Sequence, residues 1–367
     1  MRVVIAPDSF GGTMTAAEAA AAFAEGWHDV AAGDELVVLP VSDGGPGLVS
    51  ALAAALPDSR LVAVAAHGPT GDVAARQLLV ADETAYVESA LACGLEELRE
   101  LGGDVRTSST YGVGELVAAA AAIDGVSSVV VGLGGSGTND GGAGLWAGLG
   151  AAPVERLCAG GLALRELAEL TVPPVLGVRL IAATDVDNPL LGLHGATAVY
   201  GPQKGADQAA VMSLDTALEH WANLVEQAVG EPGLRARPGA GAAGGLGFGL
   251  LALGAERCSG ADIVMEAVGL SAAIEGADLV VTGEGRFDAT SLRGKVVSGV
   301  AERAQAAGVP CVVVAGQARI GSRDAAANGI DEVWSVAEEL GSVDAALAAG
   351  ADGVRRLGAA VARSWSR

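Results

Sequence analysis

Residues 129–150 read VVVGLGGSGTNDGGAGLWAGLG: an apolar β-branched run, a loop that is nearly half glycine and carries one carboxylate, then small residues over a helical length. Strand, tight loop and helix in that order form the unit from which parallel α/β sheets are built. The loop contains a G-x-G-x-x-G match at Gly132, Gly134 and Gly137, so a dinucleotide is the first ligand to test. A Rossmann fingerprint also needs an acidic residue ending the next strand about 20 positions later. After Gly150 the chain reads AAPVERLCAGGLALREL, with no β-branched run before Glu155. A second match, Gly239, Gly241 and Gly244, follows a proline-bearing loop instead of a strand, and no G-x-x-x-x-G-K-[ST] occurs. What remains is a glycine loop at a helix start holding Ser136, Thr138, Asn139 and Asp140. Backbone N–H groups there attract anions, and missing side chains let a phosphate come close. The competing reading is a strand-to-helix turn capped by Asn or Asp.

The same grammar runs along the chain. Strands are expected at 2–6, 36–41, 128–133, 178–183, 278–282, 311–315 and 332–336, and helices at about 15–31, 45–56, 111–123, 141–150, 207–229, 296–307 and 343–365. Residues 60–90 differ, reading as antiparallel strands joined at a G-P-T-G-D turn. Nearly every strand runs into a loop with a polar residue beside glycine: APDSFGG, PVSDGGPG, GLGGSGTNDGG, AATDVDN, VTGEGRFD and VAGQ. Ligands of open α/β sheets bind outside the carboxyl ends of the strands, so these loops are expected to converge on one crevice.

Composition bounds the ligand. A chain of 367 residues suits two domains, and its 51% hydrophobic but 3% aromatic content predicts a core of Ala, Val and Leu. A formal charge of -22 argues against nucleic acid and anionic membranes as partners. The start, MRVVIAPDS, lacks the build of a signal peptide, and no apolar run reaches membrane-spanning length, so a cytoplasmic location is expected. The four cysteines, Cys93, Cys158, Cys258 and Cys311, form no C-x-x-C pair, which argues against structural zinc and a disulfide framework. Among 22 basic residues only Lys204 and Lys295 are lysines, both in glycine-flanked segments, where a compact ammonium approaches one oxygen better than a guanidinium fork does.

Two further segments carry chemistry. In AATDVDNPLLG, Asp185 and Asp187 share one side of an extended backbone, a spacing fit for a metal or a substrate hydroxyl, with an Asx turn as the bland alternative. GEGRFDATSLRGK gathers Glu284, Asp288 and Lys295 around glycines. A carboxylate to take a hydroxyl proton and a lysine to neutralise a moving phosphoryl group are the minimal parts for phosphoryl transfer.

In order, APDSF at 6–10, SDGG at 42–45, GGSGTNDGG at 134–142, DVDNP at 185–189, GPQKGA at 201–206, GAGAAGGLG at 239–247, TGEGRFD at 282–288 and GKV at 294–296 resemble the motifs of the type I glycerate kinase family. The resemblance implies two discontinuous α/β domains: a Rossmann-like, mostly parallel sheet with helices on both faces (1–60, 104–150 and 270–367), and a mixed α/β domain (61–103 and 151–269), with the active-site cleft between them. It also implies ATP with Mg²⁺ as donor and D-glycerate as acceptor, giving 2-phosphoglycerate. Whether the chain forms a homodimer is left open.

Residue chemistry placed on these motifs gives expected roles. Gly134, Gly135, Ser136, Thr138, Asn139, Gly141, Gly283 and Glu284 would bind the nucleotide. Asp43 and Asp185 would hold Mg²⁺. Asp8, Ser9, Asp43, Gly44, Gly45, Asn188 and Arg286 would bind the acceptor. Asp288 or Asp187 would be the base, and Lys204 and Lys295 would carry the charge on the phosphoryl oxygens. Two positions depart from the pattern: Gly11 stands where the family has a lysine, and Pro46 where it has a glutamate. They leave open a kinase for another small hydroxy acid, or a homologue that binds glycerate or nucleotide without turnover.

Overall fold

The computed structural model describes residues 1–292 and 295–366, so Gly294 of the GKV motif lies outside the described residues. The strands are β1 (Arg2–Ile5), β2 (Glu35–Val38), β3 (Arg60–His67), β4 (Val73–Ala81), β5 (Thr84–Glu88), β6 (Ser128–Gly132), β7 (Arg179–Ala183), β8 (Glu256–Cys258), β9 (Leu279–Phe287), β10 (Cys311–Ala318) and β11 (Glu332–Ser335). They form a five-stranded sheet of order β11-β10-β9-β1-β2 and a six-stranded sheet of order β3-β4-β5-β6-β7-β8. The chain divides into two compact units, one of residues 1–43, 50–57 and 261 onward, the other of residues 44–49 and 58–260.

Every pairing in the first unit's sheet is parallel. Its strands are short β-branched runs, with Val3, Val4, Val280, Val312 and Val313 fully buried, as expected of strands covered on both faces. The first helix, Ala16–His28, begins at a capping box: the Thr15 hydroxyl accepts from the Glu18 amide at 3.2 Å and the Thr15 amide donates to the Glu18 carboxylate at 2.8 Å. It packs against Ala351–Trp365 at backbone distance, since a Cβ on Gly358 would sit 2.2 Å from the Phe23 carbonyl. The helix expected over 343–365 is broken at Gly350 (φ 50, ψ -127) into Val343–Ala349 and Ala351–Trp365.

The second unit's sheet is mixed. β3, β4 and β5 are antiparallel, and β5 to β8 are parallel. The expected boundary is corrected here: 104–150 was expected with the first sheet, yet β6 lies between β5 and β7 in the six-stranded sheet. A parallel strand carries no mark of which neighbours it pairs with, and β5, whose edge β6 takes, read only as part of the antiparallel run. No described helix is long and apolar enough to cross a membrane.

Candidate functional site

In the first unit the chain leaves β1 toward β2 on one side, whereas β9, on the other side, leads outward to β10 and β11. Strand order therefore reverses between β1 and β9, and the crevice outside their carboxyl ends is where such sheets take ligands. The APDSF loop is fastened to β9 there. The Asp8 amide donates to the Gly283 carbonyl at 2.8 Å, and the Gly285 amide to the Ser9 carbonyl at 3.4 Å. Close approach explains the glycines: a Cβ on Gly285 would lie 2.9 Å from the Phe10 carbonyl carbon, and one on Gly316 would lie 2.6 Å from the Gly285 oxygen.

Carboxylates gather at this point. The Asp8 carboxyl is pushed up to about 7, chiefly by burial and then by the charge of Asp43, with a smaller push from Glu284; the Ser9 amide, 2.6 Å from Oδ1, opposes the shift. Burial also raises Glu284, against a hydrogen bond from Ser291 and the ammonium of Lys295, while Asp288 and Asp43 push it further up. Its Oε1 is buried with no hydrogen-bond partner among the described residues. Asp288 is different. The Thr290 hydroxyl at 2.7 Å and amide at 2.9 Å, with Arg286 at 3.1 Å and the charge of Lys295, hold its carboxyl below the usual range. Lys295 stands at the N-terminus of the helix Val296–Ala307, whose first turn Ser298 closes by accepting from the Lys295 amide at 3.1 Å. A cavity of about 420 Å³ opens beside Asp8, Glu284 and Arg286. Asp8, Ser9, Asp43, Gly283, Glu284, Arg286, Asp288 and Lys295 thus all belong to this unit.

The glycine loop lies in the second unit. Ser136, Thr138, Asn139 and Asp140 are all buried. Asp140 accepts from the Thr110 amide and hydroxyl, both at 2.8 Å, and from the Gly142 and Gly144 amides at 3.1 and 3.2 Å, so it caps the helix Ala143–Gly148. The Asn139 side-chain amide donates to Thr197 Oγ1 at 2.9 Å. Lys204, expected to meet a phosphoryl group, instead donates its ammonium to Ser136 Oγ and to the Thr138 carbonyl, each at 2.8 Å. Burial draws its pKa down to about 8, against the charges of Cys93 and Asp140. The Ser136 hydroxyl and the Lys204 ammonium satisfy one another and the loop is a packed joint, while Thr138 Oγ1 and Asn139 Oδ1 are buried with no hydrogen-bond partner among the described residues.

The GAGAAGGLG segment is the other half of that joint. The Gly141 amide donates to the Gly244 carbonyl at 3.1 Å, Trp221 Nε1 to the Gly141 carbonyl at 3.0 Å and Trp146 Nε1 to Gly249 at 2.9 Å. A Cβ on Gly244 would lie 1.9 Å from the Thr138 oxygen. On the loop's other side, Cβ atoms on Gly134 and Gly135 would meet Gly45 Cα and Pro46 Cγ, each at 2.4 Å, so the SDGGPG turn lies directly on this dipeptide.

Asp187, the other candidate base, is an exposed residue paired with Arg257 at 2.5 Å. Asn188 is used on both sides: its amide donates to the His194 carbonyl and its oxygen accepts from the Tyr200 hydroxyl, each at 2.8 Å. Asp185 follows β7, half-buried. No group of three His, Cys, Asp or Glu side chains among the described residues is arranged to hold a metal ion. The sequence reading missed Glu88, whose buried carboxylate accepts from the Gly47 amide at 2.9 Å and the Val49 amide at 3.1 Å. Its signal was present, a carboxylate closing the β-run TAYVE. Changing Glu88 to Ala strands both amides and is expected to lower stability by about 2 kcal/mol, read as a drop in urea midpoint at constant m.

The family model described as Glycerate kinase family matches residues 3–366. The chain belongs to the glycerate kinase family. It is 40% identical to a glycerate kinase of Halalkalibacterium halodurans, over 100% of this chain and 99% of that one. It is 38% identical to the glycerate 2-kinase of Escherichia coli strain K12, over 97% and 96%. A crystal structure described as glycerate kinase 2 from Salmonella typhimurium LT2 superposes with a TM-score of 0.83 at 36% identity, over 99% of this chain and 98% of that one. Within the glycerate kinase family pattern, Gly11 is exposed with φ +38 and open space where a Cβ would stand, and Pro46 is exposed beside Gly135.

Proposed function

We propose that the protein transfers the γ-phosphoryl group of ATP to a hydroxyl of D-glycerate, yielding ADP and 2-phosphoglycerate. The observation that supports this most is the full-length family match, read together with the carboxylates and the lysine at the strand-order reversal between β1 and β9. Phosphoryl transfer through a loose transition state asks the protein for position and charge more than for covalent chemistry. Asp288, held low, stays ionised at neutral pH and orients the acceptor hydroxyl by accepting its hydrogen bond. Lys295 offsets charge on the phosphoryl oxygens, and Arg286 offers a fork to a carboxylate or phosphate.

The donor set also suits Mg²⁺. Asp8, Asp43 and Glu284 repel one another, and Glu284 Oε1 is a buried orphan. Mg²⁺ is commonly held by one or two carboxylates together with substrate phosphates, so a complete protein cage is not required. Bound there, it would neutralise phosphate charge. Lys204 serves as a positioning residue for the glycine loop. A cytoplasmic setting with small-molecule partners belongs to this reading, supported by the charge of -22.

A coupled ADP-release assay across a panel of small hydroxy acids tests it, with phosphorus NMR of the product. D-glycerate is expected to give the highest kcat/KM, with kcat on the order of 1–100 s⁻¹, and the phosphate on C2. A higher kcat/KM for another acid would move the assignment to that acid, a reading the open space at Gly11 favours. Binding without ADP release would make the protein a sensor.

A further inference from the structure

The cavity at the carboxyl ends of β1, β9, β10 and β11 is unlike a glycerate site. Its walls are mostly apolar, formed by Phe10, Met14, Val336 and Leu347, and its volume of about 420 Å³ is far more than a three-carbon acid fills. Glycerate is small, anionic and polar on every carbon, and a site for it needs donors and cations on all sides. Here the charged groups stand together at one end, Asp8 and Glu284 with Arg286, and the opposite wall has none. A cavity in the range of about 300–1,000 Å³ with apolar walls and a few polar groups suits a flat, uncharged ring system.

We infer that this cavity takes the adenosine part of ATP, the base lying against Phe10, Met14 and Leu347 with the side-chain amide of Gln317 available to its polar edge. The inference rests on the reading that ATP is the donor, and adds where the nucleoside is held. Three features agree. The cavity opens where strand order reverses, the place at which parallel sheets bind nucleotides. Gly285 and Gly316 let the segments after β1, β9 and β10 pack at backbone distance, which brings their cavity-lining residues together. Leu347 is 57% exposed and Val343 39% exposed on the helix Val343–Ala349, which buries no residue fully; apolar side chains so exposed at a cavity rim are suited to close on a ligand face. The polar end then receives the phosphates beside the carboxylates proposed to hold their escorting cation. The nucleoside is thereby assigned to the first unit, whereas the glycine loop 134–142 belongs to the second.

The test is calorimetric titration of the full-length protein with Mg²⁺-ADP and with adenosine, paired with steady-state kinetics. Leu347→Lys alters a side chain that is already mostly in solvent, and Val343→Glu is a second such change; circular dichroism checks that each is folded. ADP affinity is expected to fall tenfold or more and the KM for ATP to rise in step, with the KM for D-glycerate unchanged. A raised KM for D-glycerate with ADP affinity intact would assign the cavity to the acceptor. Unchanged values for both, in both variants, would remove it as a ligand site. If the wild type binds ADP in a Leu347-dependent way but turns over no hydroxy acid, the functional reading falls and the nucleoside site stands.

Discussion

Asp8→Asn is expected to lower kcat/KM by about 10²–10³-fold and, at pH 8, to make the protein harder to melt. The loss follows from removing a carboxylate at the crevice between β1 and β9, beside Glu284. The gain in stability follows from the proton balance. Burial and the charge of Asp43 raise the Asp8 carboxyl from 3.8 to about 7 in the folded protein. Between those values the folded state holds more protons than the unfolded one, so stability from this group is complete below pH 3.8 and is lost as pH rises through 7. Asparagine has no charge to bury. At about 1.4 kcal/mol per pKa unit, discounted for the open mouth of the cavity, the variant gains about 2 kcal/mol at pH 8, or roughly 4–8 °C in Tm. At pH 4 the two proteins should melt nearly together. A variant that is less stable at both pH values would show that Asp8 supports the fold instead of straining it.

Lys204→Met is expected to be the most damaging single change in the second unit. The ammonium is buried, satisfies Ser136 Oγ and the Thr138 carbonyl, and lies near enough to Asp140 for their charges to interact. Removing it strands two buried acceptors and takes away the cation nearest Asp140, at a cost of about 3 kcal/mol and roughly 6–12 °C in Tm. Amide exchange should accelerate over 134–142. The pH profile supplies a second readout. Because the folded pKa of Lys204 falls from 10.5 to about 8, the unfolded chain holds the extra proton in that window, and stability from this group rises as pH goes from 8 to 10.5. The methionine variant should lack that rise. Unchanged exchange in the loop would show that Lys204 does not hold it.

Much of the framework could be read from one dimension. Apolar runs leading into loops with Asp, Glu, Asn or Gln marked β1, β6, β7, β9 and β10, and the carboxylates of Asp8, Glu284 and Asp288 lie in one unit. What could not be read was direction. Ser136, Thr138 and Asn139 look like phosphate ligands because the loop sequence does not say which side of it Lys204, Trp221 and Gly244 will occupy, and these arrive from 66 to 106 positions away. Whether a glycine is there to admit a ligand or another stretch of backbone is equally silent until the partner segment is known. Gly244 admits the Thr138 carbonyl, and Gly285 admits the Phe10–Gly11 peptide. Asp187 misled for a related reason: its partner, Arg257, is supplied by β8, a three-residue strand too short to leave a periodic trace.

The first unit is assembled from both ends of the chain, since β1 pairs with β9 and the helix Ala16–His28 packs on Ala351–Trp365. During translation, Val3, Val4 and Ile5 have emerged long before residues 279–287 exist to pair with them. At about 5–20 residues per second the nascent amino terminus waits on the order of tens of seconds, with an apolar strand and an alanine-rich helix face uncovered. Residues 58–260, meanwhile, already contain the whole of the second sheet. The middle of the chain can therefore fold first, while the strand and helix made earliest stay uncovered until residues 279–287 and 351–365 have been synthesised.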